Sequence, residues 1–113
     1  MQETKENDWN RLQNKLKEMY GEEIQIDGIL FLIGVQELGM GFKKFKKDEK
    51  VNVMHIAICT LLEPFGFYEF EGRDEDGWPH WKLKENIPPL DSKQQNKLMV
   101  GAIVDYFKKE GLI

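Results

Sequence analysis

The sequence predicts a mainly helical α+β fold built from four helices, one short strand and one β-hairpin. Two observations predict it. Apolar residues recur at helical spacing in four segments, and residues 67–83 alternate between apolar and polar side chains on either side of a turn bounded by glycines. The densest apolar segment is residues 51–65. We expect it to form the central helix, because so apolar a helix must be covered on more than one side.

Length and composition favour one cytoplasmic domain over residues 1–113. The hydrophobic fraction of 41% and the charged fraction of 32% are ordinary for a soluble globular protein. The longest apolar run, residues 29–33, is far shorter than the roughly 20 residues that a membrane span needs. The polar amino terminus does not resemble a signal peptide. The single cysteine, Cys59, excludes an internal disulfide and fits a reducing compartment.

The first third of the chain predicts two helices and one short strand. Residues 1–20 have the pattern of an amphipathic helix with Trp9, Leu12, Leu16 and Met19 or Tyr20 on its apolar side, and we expect residues 1–8 to be frayed. Residues 23–26 alternate polar and apolar side chains, which predicts a very short strand. The second helix follows and is apolar on almost every side from Ile29 to Val35. Gly34 within it predicts a close crossing with a neighbouring element.

Capping and breaking residues predict where the helices begin and end. Asp27 and Asp48 are placed to cap the second and third helices, and Pro64 with Gly66 to end the third. One apolar face of the third helix is expected to follow helical spacing, and three further residues widen it: Val51, Met54, Ile58, Leu61, Leu62 and Phe65, with Val53, Ala57 and Ile56 beside them.

The hairpin and the last helix follow. The hairpin turn is predicted at residues 72–77, and Pro79 should make the start of the return strand irregular or leave an open edge there. The last helix is predicted from about Ser92 to Glu110, with Asp91 or Ser92 as its cap and Gly111 as a left-handed residue that ends it. The alternation selects two apolar side chains from one face of each strand: Tyr68, Phe70, Trp81 and Leu83.

Residues that could carry chemistry are few. His55, Cys59 and Glu63 share one helical face, but a structural zinc site needs four ligands, and the chain holds only one further histidine, His80. Cys59 lies in the middle of an apolar helix, where a thiol is a small core residue and not a nucleophile. We therefore predict no metal site, no cofactor and no catalytic residue.

Charge is distributed unevenly along the chain, although the net charge is only −4. Residues 63–76 hold six acidic residues against one basic residue, Arg73. The connector before the third helix is basic, and we expect its Phe42 and Phe45 to turn inward while the lysines stay in water. A candidate patch for anions or nucleic acid consists of five lysines: Lys43, Lys44, Lys46, Lys47 and Lys50.

The order helix, short strand, helix, helix, hairpin over residues 5–84 is similar to that of winged-helix domains, with residues 72–77 as the wing. The resemblance implies DNA binding through the third helix. The side chains argue against it, because the first half of that helix offers only Lys50, Asn52 and His55 to base edges. The wing is also acidic, so it would repel phosphates. DNA binding is therefore the alternative interpretation.

The leading interpretation is a non-catalytic protein-interaction or self-association module, expected to form a homodimer. Three helices carry apolar stripes wider than a small monomer readily covers. An enzyme of unknown class is the third interpretation. It ranks last because one serine and two threonines leave few hydroxyl groups for a catalytic site. The candidate interaction surface comprises residues from the hairpin and from one flank of the last helix: Trp78, His80, Trp81, Val100 and Val104.

Overall fold

The structure is a computed structural model of the 113-residue chain, and it describes residues 2–41, 43–84 and 90–113, with side chains from Asn7 onward. Within these residues it contains four α-helices and one antiparallel pair of strands, which confirms the predicted mainly helical α+β class. None of the helices in these ranges has the length and apolar character needed to cross a membrane. In chain order the elements are α1 (Gln2–Tyr20), α2 (Ile26–Leu38), α3 (Lys47–Leu62) with a 3-10 turn (Glu63–Phe65), β1 (Tyr68–Arg73), β2 (Pro79–Leu83) and α4 (Ser92–Lys109).

The chain forms two compact units. The terminal unit comprises residues 1–24 and 88–113 and contains α1 and α4, whereas the central unit comprises residues 25–87 and contains α2, α3 and the hairpin. A single domain over residues 1–113 stays a prediction, as does the fraying of residues 1–8.

The terminal unit joins α1 to α4 through apolar residues and one buried carboxylate. Leu12 and Leu16 of α1 are buried, as the helical pattern predicted, whereas Met19 and Tyr20 at its end are exposed. Asp8 is also buried, and it forms ion pairs with Lys108 of α4 and with Arg11, whose Nη1 lies 3.3 Å from Asp8 Oδ1. The Lys108 ammonium is the main reason why the pKa of Asp8 lies below its ordinary value. An acidic residue on α1 thus pairs with a basic residue on α4.

Both ends of α4 confirm the sequence prediction. The Asp91 carboxylate accepts a hydrogen bond from the Gln94 backbone N–H at 2.7 Å, and the Gln94 side chain accepts from the Asp91 N–H at 3.0 Å, which together form a capping box. Gly111 has a φ of 81°, and the Leu112 N–H donates to the Phe107 carbonyl at 3.0 Å. This is the main-chain bond of a Schellman ending.

The central unit is built on a close approach of α2 and α3. A Cβ atom added at Gly34 would lie 2.1 Å from the carbonyl oxygen of Val53, so only glycine fits there. The predicted close crossing at Gly34 is therefore confirmed. The core beside it is a cluster of five buried residues, on which Phe31 and Trp78 pack: Val35, Leu38, Phe45, Val53 and Ile56.

The starts of α2 and α3 differ from the prediction. Residues 23–25 are irregular and α2 already begins at Ile26, so the short strand was wrong. Two alternating positions do not make a strand without a partner, and among the described residues only β1 and β2 pair. Gln25 and Lys46 occupy the N-cap positions, so Asp27 and Asp48 each lie two residues after the cap, inside the first turns.

Only part of the wide apolar stripe that was predicted for α3 is buried. Val51 is 65% exposed, Phe65 is 47% exposed and Ile58 is only half-buried. The buried residues lie on the side that meets α2 at Gly34 and on the adjoining sides: Val53, Ile56, Ala57, Cys59, Leu61 and Leu62. Helix α3 is apolar on several sides, so spacing alone did not distinguish the side that α2 covers.

The predicted hairpin is confirmed, and its register pairs the apolar side chains that the alternation selected. Tyr68 lies opposite Leu83 and Phe70 opposite Trp81. A bulge follows Phe70, after which Arg73 lies opposite Pro79. Pro79 is the first residue of β2, where its missing N–H removes no bond from the middle of the ladder.

Candidate interaction site

The turn between β1 and β2 is held by the side chain of Asp74. Its Oδ1 accepts hydrogen bonds from the backbone N–H groups of Asp76 at 2.9 Å and Trp78 at 3.0 Å, and its Oδ2 lies 2.8 Å from His80 Nε2. The bond to His80 and these N–H groups hold the pKa of Asp74 below its ordinary value. The acidic turn therefore uses this carboxylate to fix its own backbone.

Arg73 connects the hairpin to the end of α2. Its Nη1 donates to the carbonyl oxygens of Leu38 at 2.9 Å and Gly77 at 2.8 Å, and its Nη2 donates to that of Glu37 at 2.8 Å. Carbonyl oxygens in the last turn of a helix have no hydrogen-bond donor within the helix and carry partial negative charge. The Arg73 guanidinium supplies both donors and a positive charge. Sequence reasoning missed this role, although Arg73 is the lone basic residue between positions 63 and 76.

A pocket of about 280 Å³ lies between the hairpin, α3 and the end of α2; we call it the hairpin pocket. Its aromatic wall consists of Phe70 and Trp81, whose ring centroids are 5.1 Å apart. Phe70 is 46% exposed, so the wall reaches solvent. All residues that line the pocket belong to the central unit: Glu37, Ile56, Glu63, Phe70, Arg73, Pro79 and Trp81.

The Trp81 indole has an unpaired donor. Its Nε1 is shielded from solvent and has no hydrogen-bond acceptor among the described residues. A buried donor without a partner costs about 1–3 kcal/mol relative to a satisfied one. The free protein thus contains one aromatic residue of the hairpin pocket whose hydrogen-bonding capacity is unused.

The charged groups of the pocket have different roles. Arg73 directs three hydrogen bonds to carbonyl oxygens, so its guanidinium is engaged in holding the fold. Glu37 and Glu63 are the two acidic residues of the lining. With a single arginine against two acidic residues, the charge of the lining is net negative.

The predicted interaction residues divide between surface and core. Trp81 lines the hairpin pocket, Trp78 packs on the core cluster, and His80 is exposed and paired with Asp74. Val104 is fully buried, so its place on a surface for partners was wrong, and Val100 is half-buried. Four apolar side chains of α4 are buried within the chain: Ala102, Ile103, Val104 and Phe107.

The lysines of the alternative interpretation are all exposed, on the connector to α3 and in its first turn. The Lys43 ammonium lies 5.3 Å from the centre of the Phe45 ring, which is buried as predicted; Phe42 lies outside the described residues. The position of these lysines is compatible with contact to a phosphate backbone.

His55 and Cys59 lie side by side on α3, with 3.4 Å between His55 Nε2 and Cys59 Sγ. Cys59 is fully buried, as predicted, and this burial raises the pKa of its thiol to about 11. The thiol is therefore protonated at neutral pH, which does not suit a nucleophile. Among the side chains that the structure describes, no three histidine, cysteine or acidic groups cluster in a way that could hold a metal ion.

Comparison of the chain with protein-family models, with curated proteins and with solved structures found no match.

Proposed function

We propose that this protein is a non-catalytic protein-interaction module of the cytoplasm and that the hairpin pocket is its docking site. The observation that carries the proposal is the exposed Phe70 ring beside a pocket that also holds the Trp81 indole. Aromatic residues in pockets are frequent anchors of protein interfaces, and the charged residues around them form the usual polar rim.

The size and shape of the hairpin pocket support a protein partner. Its volume of about 280 Å³ lies just below the roughly 300–1,000 Å³ of typical small-molecule sites. Space of this size suits one side chain of a partner. Leu83, paired opposite Tyr68 on the same hairpin, is 49% exposed and extends the apolar surface beyond the pocket.

Selection from a random peptide library tests the proposal. The full chain is used as bait, and the affinity of the enriched peptides is measured by calorimetry against two variants, Phe70→Ala and Phe65→Ala. The two rings are almost equally exposed, at 46% and 47%, but only Phe70 lines the pocket. We expect Phe70→Ala to weaken binding at least about tenfold and Phe65→Ala to leave it nearly unchanged. Equal effects of the two variants, or no enrichment, would refute the proposal.

In the self-association form of this proposal, the partner is a second copy of the chain. The burial of Val104 moves the expected contact away from α4 and toward the hairpin. Sedimentation at about 50 µM distinguishes the forms, because a homodimer through the hairpin pocket should become monomeric with Phe70→Ala and not with Phe65→Ala.

DNA binding remains the second candidate, favoured by the five exposed lysines before and at the start of α3. Fluorescence anisotropy with a random duplex at two salt concentrations tests it. Salt-sensitive binding that weakens when Lys44 and Lys47 are both changed to glutamate would support this candidate. Absence of binding at low salt would remove it.

A further inference from the structure

Building on the proposed function, we infer that the hairpin pocket accepts a lysine or arginine side chain from an extended segment of a protein partner. Three features of the pocket point to this occupant: its charge, its aromatic rings and the hydrogen bonds of Arg73.

Electrostatics favours a cation in the pocket. Glu37 and Glu63 both belong to the lining, and residues 63–76 as a whole contain six acidic residues against Arg73. Arg73 already donates to three carbonyl oxygens, so it has little capacity left for an anionic ligand. A carboxylate or phosphate brought into the pocket would instead approach Glu63 and the acidic stretch that begins there.

The rest of the lining suits the other parts of a basic side chain. The faces of Phe70 and Trp81 attract a cation placed over them. Ile56 and Pro79, both buried, offer apolar surface to the methylene groups of a lysine or arginine stem.

Two charge reversals of equal size test the inference. Glu63 lines the pocket, whereas Glu75 is an exposed residue of the hairpin turn outside it. Glu63→Lys and Glu75→Lys change the net charge equally. A difference in peptide affinity between the two variants therefore reports the electrostatic potential of the pocket. The probe is the most enriched library peptide, synthesised with lysine, norleucine or glutamate at its basic anchor position, and its affinity is measured by calorimetry.

We expect the enriched peptides to share a lysine or arginine, and the norleucine and glutamate versions to bind at least about tenfold more weakly. Glu63→Lys should weaken the binding of the lysine peptide about tenfold, which corresponds to roughly 1.4 kcal/mol, and Glu75→Lys should weaken it less than about threefold.

Equal effects of the two reversals would overturn the inference. Enriched peptides without a basic residue that still depend on Phe70 would overturn it as well, and would leave the interaction module in place. The absence of any Phe70-dependent peptide would overturn both. A chain that sediments as a dimer and becomes monomeric when the lysine peptide is added would overturn the assignment to a separate partner, because a second copy would then occupy the pocket.

Discussion

Gly34 sets how closely α2 and α3 approach. An alanine Cβ at this position would meet the Val53 carbonyl oxygen at 2.1 Å and the Val53 Cγ1 at 2.7 Å. Because the first of these is a backbone atom, the two helices would have to move apart. We expect Gly34→Ala to destabilise the protein by about 3 kcal/mol or more, although alanine is the better helix former. Urea denaturation measures this loss.

A second substitution identifies the cause. Val53→Ala removes the Cγ1 atom and leaves the carbonyl oxygen in place, so the double variant Gly34→Ala/Val53→Ala should be no more stable than Gly34→Ala alone. Recovery of stability in the double variant would show that the side chain, and not the backbone, limits the approach of the helices.

Asp8 makes stability depend on pH in the acid range. Its pKa is lowered in the folded protein, mainly by Lys108, so its favourable contribution is complete above the ordinary aspartate pKa of about 3.9 and is lost as the pH falls through the folded value. We expect wild-type stability to fall more steeply below about pH 4 than that of Asp8→Asn, with the two curves converging at the lowest pH. Glu18→Gln, an exposed charge removal on the same helix, should keep the wild-type pH dependence. Parallel curves for wild type and Asp8→Asn would contradict the role of this carboxylate.

At the scale of the elements, periodicity predicted the existence of each helix better than its orientation. For α1 the pattern was narrow, and the buried Leu12 and Leu16 were correctly predicted. For α3 the pattern was broad, because four apolar residues surround the helix: Val51, Val53, Ile56 and Ile58. Which of these residues are buried depends on where α2 packs. Gly34 of α2 lies close to Val53, whereas Val51 stays in solvent.

Two isoleucines of α3 test this orientation. Ile56 is buried in the core cluster, whereas Ile58, the residue expected at the centre from the sequence, is half-buried. We expect Ile56→Ala to cost about 2–5 kcal/mol and Ile58→Ala less than about 2 kcal/mol, measured by chemical denaturation. A larger loss at Ile58 would place the centre of the fold where the sequence pattern put it.

The hairpin was the most predictable element. Strict alternation and the glycine-bounded turn were sufficient to predict the apolar side chains that pair between the strands. The roles of Arg73 and Asp74 were not predictable in the same way, since the Arg73 acceptors at Glu37 and Leu38 lie 36 and 35 residues away. A single sequence shows local spacing, but not which helix end a distant guanidinium reaches.

At the scale of the whole molecule, the candidate site could be predicted only in part, because its residues come from distant parts of the chain. Trp81 was identified from the sequence as a possible anchor, and it does line the hairpin pocket. The acidic part of the lining comes from α2 and from the end of α3, which are brought to the hairpin only by the fold of the central unit. The wide stripe of α4 suggested a dimer surface instead, because the number of apolar residues does not show how many are already covered by their own chain.

The central unit is the proposed recognition surface, and hydrogen–deuterium exchange tests this most directly. Exchange of the full chain is compared with and without a saturating library-selected peptide. Binding should slow exchange in residues 68–83 and near the end of α3, and leave α1 and α4 unchanged, because contacts protect the amides that they cover or stabilise. Protection centred on α1 or α4, with the hairpin unchanged, would contradict the account.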